Sequence, residues 1–169
     1  MRSLIFCLLS LAYITTNAQD TLLALYGSAV DIITEQPVKD LKVTSYTMAD
    51  TAIENAIVGP DGSFMLGLFD ARDRIVIFEA PGYVPRRIML DMKGPDRERW
   101  ANGYGLSLQM SLYEAIPGMD LTMDEIPVGR SIYNADNDVF EWDRAYSRSI
   151  NEKNKELLKA YKQRIARDR

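Results

Sequence analysis

The sequence predicts a mainly β protein: a seven-stranded antiparallel sandwich, then an extended arm, then a C-terminal amphipathic helix. Three observations carry this. Asp61 to Tyr83 runs turn, strand, strand, turn with almost no filler: Asp-Gly-Ser-Phe-Met-Leu-Gly-Leu, Arg-Ile-Val-Ile-Phe-Glu, then Ala-Pro-Gly-Tyr. Seven strand-like segments recur at sandwich spacing between Leu22 and Tyr113. The apolar period then changes from two residues to three and four.

Taken in order, Leu22 to Ile32 is an apolar, loosely alternating first strand. Pro37 fixes its own backbone and holds Gln36 out of the helical region, so Thr34 to Pro37 is a turn. Leu41, Val43, Ser45 and Thr47 alternate with Lys42, Thr44 and Tyr46 as a second strand. Ile53 to Val58 is a third. Gly59-Pro60-Asp61-Gly62 is a hairpin signal, because Gly62 takes a positive φ at no steric cost. Phe64, Leu66 and Leu68 share one face of the next strand. Burying Phe64 just after the turn is worth about 1.5–3 kcal/mol. Ile75 to Phe78 is continuously apolar, as in a central strand covered on both faces. Pro81-Gly82 turns the chain. Arg86, Ile88 and Leu90 alternate with Arg87, Met89 and Asp91. Leu106, Leu108, Met110 and Leu112 mark the last strand.

Beyond the sandwich (residues 19–115), residues 116–137 contain Pro117-Gly118 and Pro127-Val128-Gly129 without a sustained period. They are expected to form an extended arm. Residues 138–169 are expected to be helical, about 45 Å long. Ile150, Asn154, Leu157, Leu158, Tyr161 and Ile165 fall on one face. Asp138 with Glu141, or Ser149 with Glu152, fits a capping box at its start. From Asn151 onward there are seven basic residues and three acidic ones, a positive tail on an acidic chain.

Residues 1–18 have the form of a signal peptide. Arg2 is the basic end, Leu4 to Ile14 the apolar run, and Thr16-Asn17-Ala18 the small-residue exit, with cleavage expected before Gln19. Cys7 lies inside the apolar run behind a poor lipobox, which argues against a lipid anchor. Removing this segment takes away one arginine and no acid, leaving 19 basic and 24 acidic residues. The mature chain then has no cysteine and no histidine. That composition excludes a disulfide framework, imidazole and thiolate catalysis, and the usual zinc ligand sets. No cofactor or metal is expected. Net acidity gives no reason to expect nucleic acid, and the mature chain has no apolar run of membrane-spanning length.

Gly27-x-x-x-Asp31, Pro37-Val38, Asp61-Gly62-x-Phe64 and Ala80-Pro81-Gly82-Tyr83, in this order, resemble the carboxypeptidase regulatory-like family. The resemblance covers roughly residues 22–113. It implies a transthyretin-like (prealbumin-like) sandwich of about seven strands and a non-catalytic accessory role. Such domains are common in exported and outer-membrane proteins of gram-negative envelopes. The expected compartment is therefore the periplasm, with association at the outer membrane. Gly62, Phe64, Pro81, Gly82 and Tyr83 are given structural roles at turns and core, with Tyr83 packing over the sandwich end.

The expected function is a docking or scaffold subunit of an envelope assembly, in a secretion, gliding or transporter setting. It would contact its partner through the arm and through Leu157, Leu158, Tyr161 and Ile165. The stripe needs a cover, either the sandwich or another protein. The basic face around it would suit acidic partners or anionic lipid heads. One rival is a carbohydrate- or peptidoglycan-binding module using Trp100, Tyr104 and Trp142, although the same aromatics also suit pinning arm and helix to the sandwich. The other is a hydrolase using carboxylates such as Glu141 and Asp143, or Asp124 and Glu125. Positions i and i+2 on a helix do not face one another, which weakens the first pair. Asn134, Asp136 and Asp138 are spaced like the start of a calcium loop. Val139 and Ala145 stand where that loop needs Gly and Glu, so capping and solvation account for the run.

Overall fold

The computed structural model describes residues 21–119 and 126–168. Asp120, Asp124, Glu125 and the segment expected to be a signal peptide lie outside the described residues. Among these residues, eleven strands form two sheets. They are β1 (Leu23–Asp31), β2 (Lys42–Thr47), β3 (Ala52–Asn55), β4 (Ile57–Val58), β5 (Ser63–Leu68), β6 (Arg74–Glu79), β7 (Tyr83–Val84), β8 (Arg86–Leu90), β9 (Tyr104–Glu114), β10 (Gly129–Asn134) and β11 (Val139–Trp142). A short helix, α1 (Arg97–Trp100), precedes β9, and α2 (Arg144–Asp168) ends the chain. The first sheet runs β4-β5-β1-β9-β7 and the second β11-β10-β8-β6-β2-β3.

The structure corrects the expected fold in three ways. The sheets are mixed rather than antiparallel: β1 pairs parallel with β9, and β8 parallel with β10. Each of these pairs joins segments separated by other strands, as parallel neighbours require. The expected third strand is broken at Ala56, so β3 lies in one sheet and β4 in the other. The arm is not simply extended over the surface, because Gly129–Asn134 is a sheet strand. Its hairpin partner β11 occupies residues expected to be helical, and the helix begins at Arg144 instead of Asp138. It has 25 residues, about 37 Å.

The true cap is Asp143. Its carboxylate accepts from Tyr146 N–H at 2.9 Å, and its carbonyl accepts from Ser147 N–H at 3.0 Å. Arg130 of β10 pairs with the same carboxylate and covers the Tyr146 ring at 5.2 Å. The Tyr146 hydroxyl donates to Pro127 O at 2.8 Å. These contacts fix the start of α2 to β10.

The core lies between the two sheets. Leu23, Leu25, Leu66 and Leu112 of the first face Val76, Phe78, Ile88 and Leu90 of the second, all fully buried. β6 alternates between buried and half-buried residues, so its apolar run is not covered equally on both faces. The motif residues take structural positions. Gly62 (φ +73°) turns the chain into β5, where a Cβ would lie 2.7 Å from Ala29 O. Phe64 is buried, edge-on to Phe78 at 5.2 Å. Gly82 (φ +79°) completes the turn closed by Tyr83 N–H to Ala80 O, and Tyr83 packs on the core. Gly27 of β1 stands opposite Leu108 of β9, where a Cβ would be 1.7 Å from Leu108 O.

Asp31 is buried. Burial pushes its carboxyl up, but the Thr34 and Ile33 N–H groups, the Thr34 hydroxyl and the neighbouring Tyr83 hydroxyl outweigh this and hold it below the usual carboxylate range. Arg74, fully buried at the end of the sandwich, pairs with Asp70 and Glu54 and donates to Arg72 O and Asp73 O.

Candidate functional site: an apolar sheet face and an open strand edge

The expected partner-binding stripe is occupied within the chain. Tyr161 is fully buried, its ring edge-on to Tyr113 of β9 at 5.1 Å. Leu157, Leu158 and Ile165 pack into the same cluster with Ile32, Ile33, Val84, Ile116 and Met119. Of the two covers the sequence left open, the sandwich supplies the one seen here. Burial pushes the Tyr161 phenol up to about 12. Its hydroxyl lies near the Glu114 backbone, yet no acceptor reaches it in good geometry among the described residues.

The aromatic residues weighed as a sugar platform are also engaged. Trp100, only 8% exposed, packs against Tyr104 at 5.3 Å and Phe140 at 5.4 Å. Tyr104 and Tyr133 both donate to one oxygen of Asp138, at 2.8 and 2.6 Å, and Arg99 donates to the Tyr133 hydroxyl at 2.8 Å. The two phenols hold the Asp138 carboxyl low, while burial and then Asp138 itself raise Tyr104. Asp138 sits at φ +52° in the β10–β11 turn, where Asn134 Oδ1 accepts from Asp136 and Asn137 N–H. The acidic run is thus a hairpin turn. No group of three or more metal-ligating side chains occurs among the described residues. Glu141 accepts from Asn134 and Asp143 caps the helix, so the two carboxylates have separate partners and do not converge on one point.

Two features unclaimed by the sequence reading stand out. The first is on the outer face of the first sheet. Ile57 of β4 stands opposite Met65 of β5, and Met65 opposite Tyr26 of β1. This row spans three paired strands and is 79%, 57% and 45% exposed. The Phe69 ring extends the patch over Gly67. The outer face of a sandwich ordinarily alternates to polar residues, so apolar side chains in the outward phase were the available signal.

The second is the edge of β9. Tyr104 N–H donates to Leu22 O, and Leu112 O accepts from Ile32 N–H, so even-numbered backbone groups face β1. Odd-numbered groups face the other way, where β7 reaches only Tyr113 and Glu114. The edge from Gly105 to Ser111 therefore has no strand partner among the described residues. Side chains cap two of its carbonyls: Trp142 Nε1 donates to Ser107 O at 2.7 Å, and Arg86 Nη1 to Ser111 O at 3.0 Å. Trp142 divides the seam between this edge and the β10–β11 hairpin into two troughs. One, about 300 Å³, is lined by Tyr26, Gly105, Ser107, Glu141, Trp142 and Arg144. The other, about 240 Å³, is lined by Arg86, Leu108, Gln109, Val128, Trp142 and Ser147. Arg86 is in phase with Ile88 and Leu90, so a cation on a core face was its signal in the sequence. Burial lowers its guanidinium from the ordinary value.

No helix among the described residues is long and apolar enough to cross a membrane. No protein-family model matches the chain, and no curated protein matches it by sequence. Among solved structures, the Bacillus anthracis TIE protein is similar at 13% identity and a TM-score of 0.42, over 68% of this chain and 23% of that one. A likeness of that size carries no argument about this chain's fold or role.

Proposed function

We propose that the protein is a non-catalytic docking module of an exported envelope assembly, built on a transthyretin-like sandwich of the carboxypeptidase regulatory-like type. The motif residues support that family reading through their roles: Gly27 admits β9, Asp31 meets Tyr83, and Gly62 and Gly82 make the turns. The observation that carries the docking reading is the outward row of Ile57, Met65 and Tyr26. The helix stripe packs within the chain, so this row replaces it as the contact surface. Its occupant is a protein surface with a complementary apolar ridge, since a flat row across three strands matches a second packed face.

The test is sedimentation of the chain from its native envelope beside a variant carrying Ile57→Glu and Met65→Glu. The wild type should travel in a complex larger than a monomer, and the variant should fall to monomer while still unfolding cooperatively. A wild type that sediments as monomer, or a variant that stays in the complex, would overturn the proposal.

A further inference from the structure

Two arginines are buried among the described residues, and their charge partners differ. Arg74 has two carboxylates and two carbonyls. Arg86, 8% exposed, forms no ion pair among the described residues. It donates to Ser111 O and covers the Tyr113 ring at 4.9 Å, and its Nε, like that of Arg74, has no partner among the described residues. A buried cation without a counter-charge is costly. Capping a strand edge does not explain that cost, because Trp142 caps Ser107 O of the same edge with a neutral donor. The charge borders the 240 Å³ trough, whose other walls are mixed, with Leu108, Met110 and Val128 beside Gln109, Ser111 and Ser147. The N–H groups of Gln109 and Ser111 point toward the same side, by the alternation that aims the even-numbered groups at β1.

We infer that this trough binds a carboxylate carried on a small apolar body. The carboxylate meets the Arg86 guanidinium and an edge N–H of β9, and the apolar part fills the trough. At about 30 Å³ per water, the space equals about eight waters, the size of a short-chain acid or of one terminal residue of a peptide. These two sources share the recognising chemistry. The inference stands on the seam alone and does not depend on the docking face.

Calorimetric titration of the purified chain tests it, with hexanoate, hexanamide, and a short leucine-terminated peptide with free or amidated C-terminus as probes. A carboxylate should bind about tenfold or more tightly than its amide, since charge-assisted bonds to arginine are lost in the amide. Stronger binding of the free-ended peptide than of hexanoate assigns the ligand to a polypeptide terminus; the reverse order assigns it to a small acid. Arg86→Met should abolish binding yet unfold at no lower urea concentration than the wild type, because it removes an unpaired buried charge. Absence of binding by every carboxylate, equal binding of acid and amide, or retained binding in Arg86→Met would overturn the inference. Should Arg86→Met fail to fold, the acid and amide comparison on the wild type still decides.

Discussion

Replacing Tyr161 measures whether α2 belongs to the fold. The side chain is fully buried, and a tyrosine buries about 150–250 Å². At about 25 cal/mol per Å² this is worth about 4–6 kcal/mol against an extended chain, an upper bound. The unsatisfied hydroxyl offsets about 1–3 kcal/mol of it. Tyr161→Ala is therefore expected to cost about 3 kcal/mol, in line with other large core truncations. Tyr161→Phe keeps the edge-on contact with Tyr113 and removes the unbonded hydroxyl, so it should be neutral or slightly stabilising. Urea unfolding followed by far-ultraviolet circular dichroism reads both, with unchanged slope taken as the sign that two-state behaviour holds. A Tyr161→Ala chain within about 0.5 kcal/mol of wild type would refute the docked helix and return the stripe to a partner. By the same reasoning, Leu157→Asp with Ile165→Asp should register first as lost stability.

Two further predictions concern the sandwich. Gly27→Ala places a Cβ against the Leu108 carbonyl oxygen, a clash with backbone that no rotamer relieves; thermal melting should show no cooperative transition, and a melt like that of wild type would refute the parallel β1–β9 pairing. Asp31 has a depressed folded pKa, so the unfolded chain binds its proton more readily. Its contribution is then present above about pH 4 and lost as pH falls through the folded value. Urea midpoints should drop below about pH 4, and Asp31→Asn should flatten that drop; an unchanged acid slope would remove Asp31 from the linkage.

The strands of the sandwich were legible because one buried face imposes a period of two, as in Phe64, Leu66 and Leu68. Strand direction was not, since alternation is the same in parallel and antiparallel neighbours. The β10–β11 hairpin was hidden for a local reason. Pro127 and Gly129 resemble linker punctuation, and Asn134 to Asp138 resembles a helix start, whereas its side chains close a turn. Val139 to Trp142 is a short β-favouring run that only its pairing with Ser131 to Asn134 identifies. The helix stripe was visible, but a sequence cannot say which surface covers it. Asp143 escaped notice as the cap because it lacks a Glu or Gln three positions on; Tyr146 stands there.

The position of α2 decides where function resides. An amphipathic helix at the end of a small domain is the natural candidate for a partner's groove. Here its anchors contact Tyr113 and the end of β1, so releasing them would expose the second core cluster and spend stability that a domain of this size holds in modest supply. Docking through the helix would thus require partial unfolding. The outward row on the first sheet requires none, because Ile57, Met65 and Tyr26 are already exposed on paired strands. The β9 edge is intermediate: side chains rather than a strand cover it, and the ladder to β1 lies on its other side. The outward face shares Tyr26 with the β9 edge, and the edge meets the helical cover where Arg86 lies over Tyr113, so substitutions at Ile57 and Met65 isolate the face best.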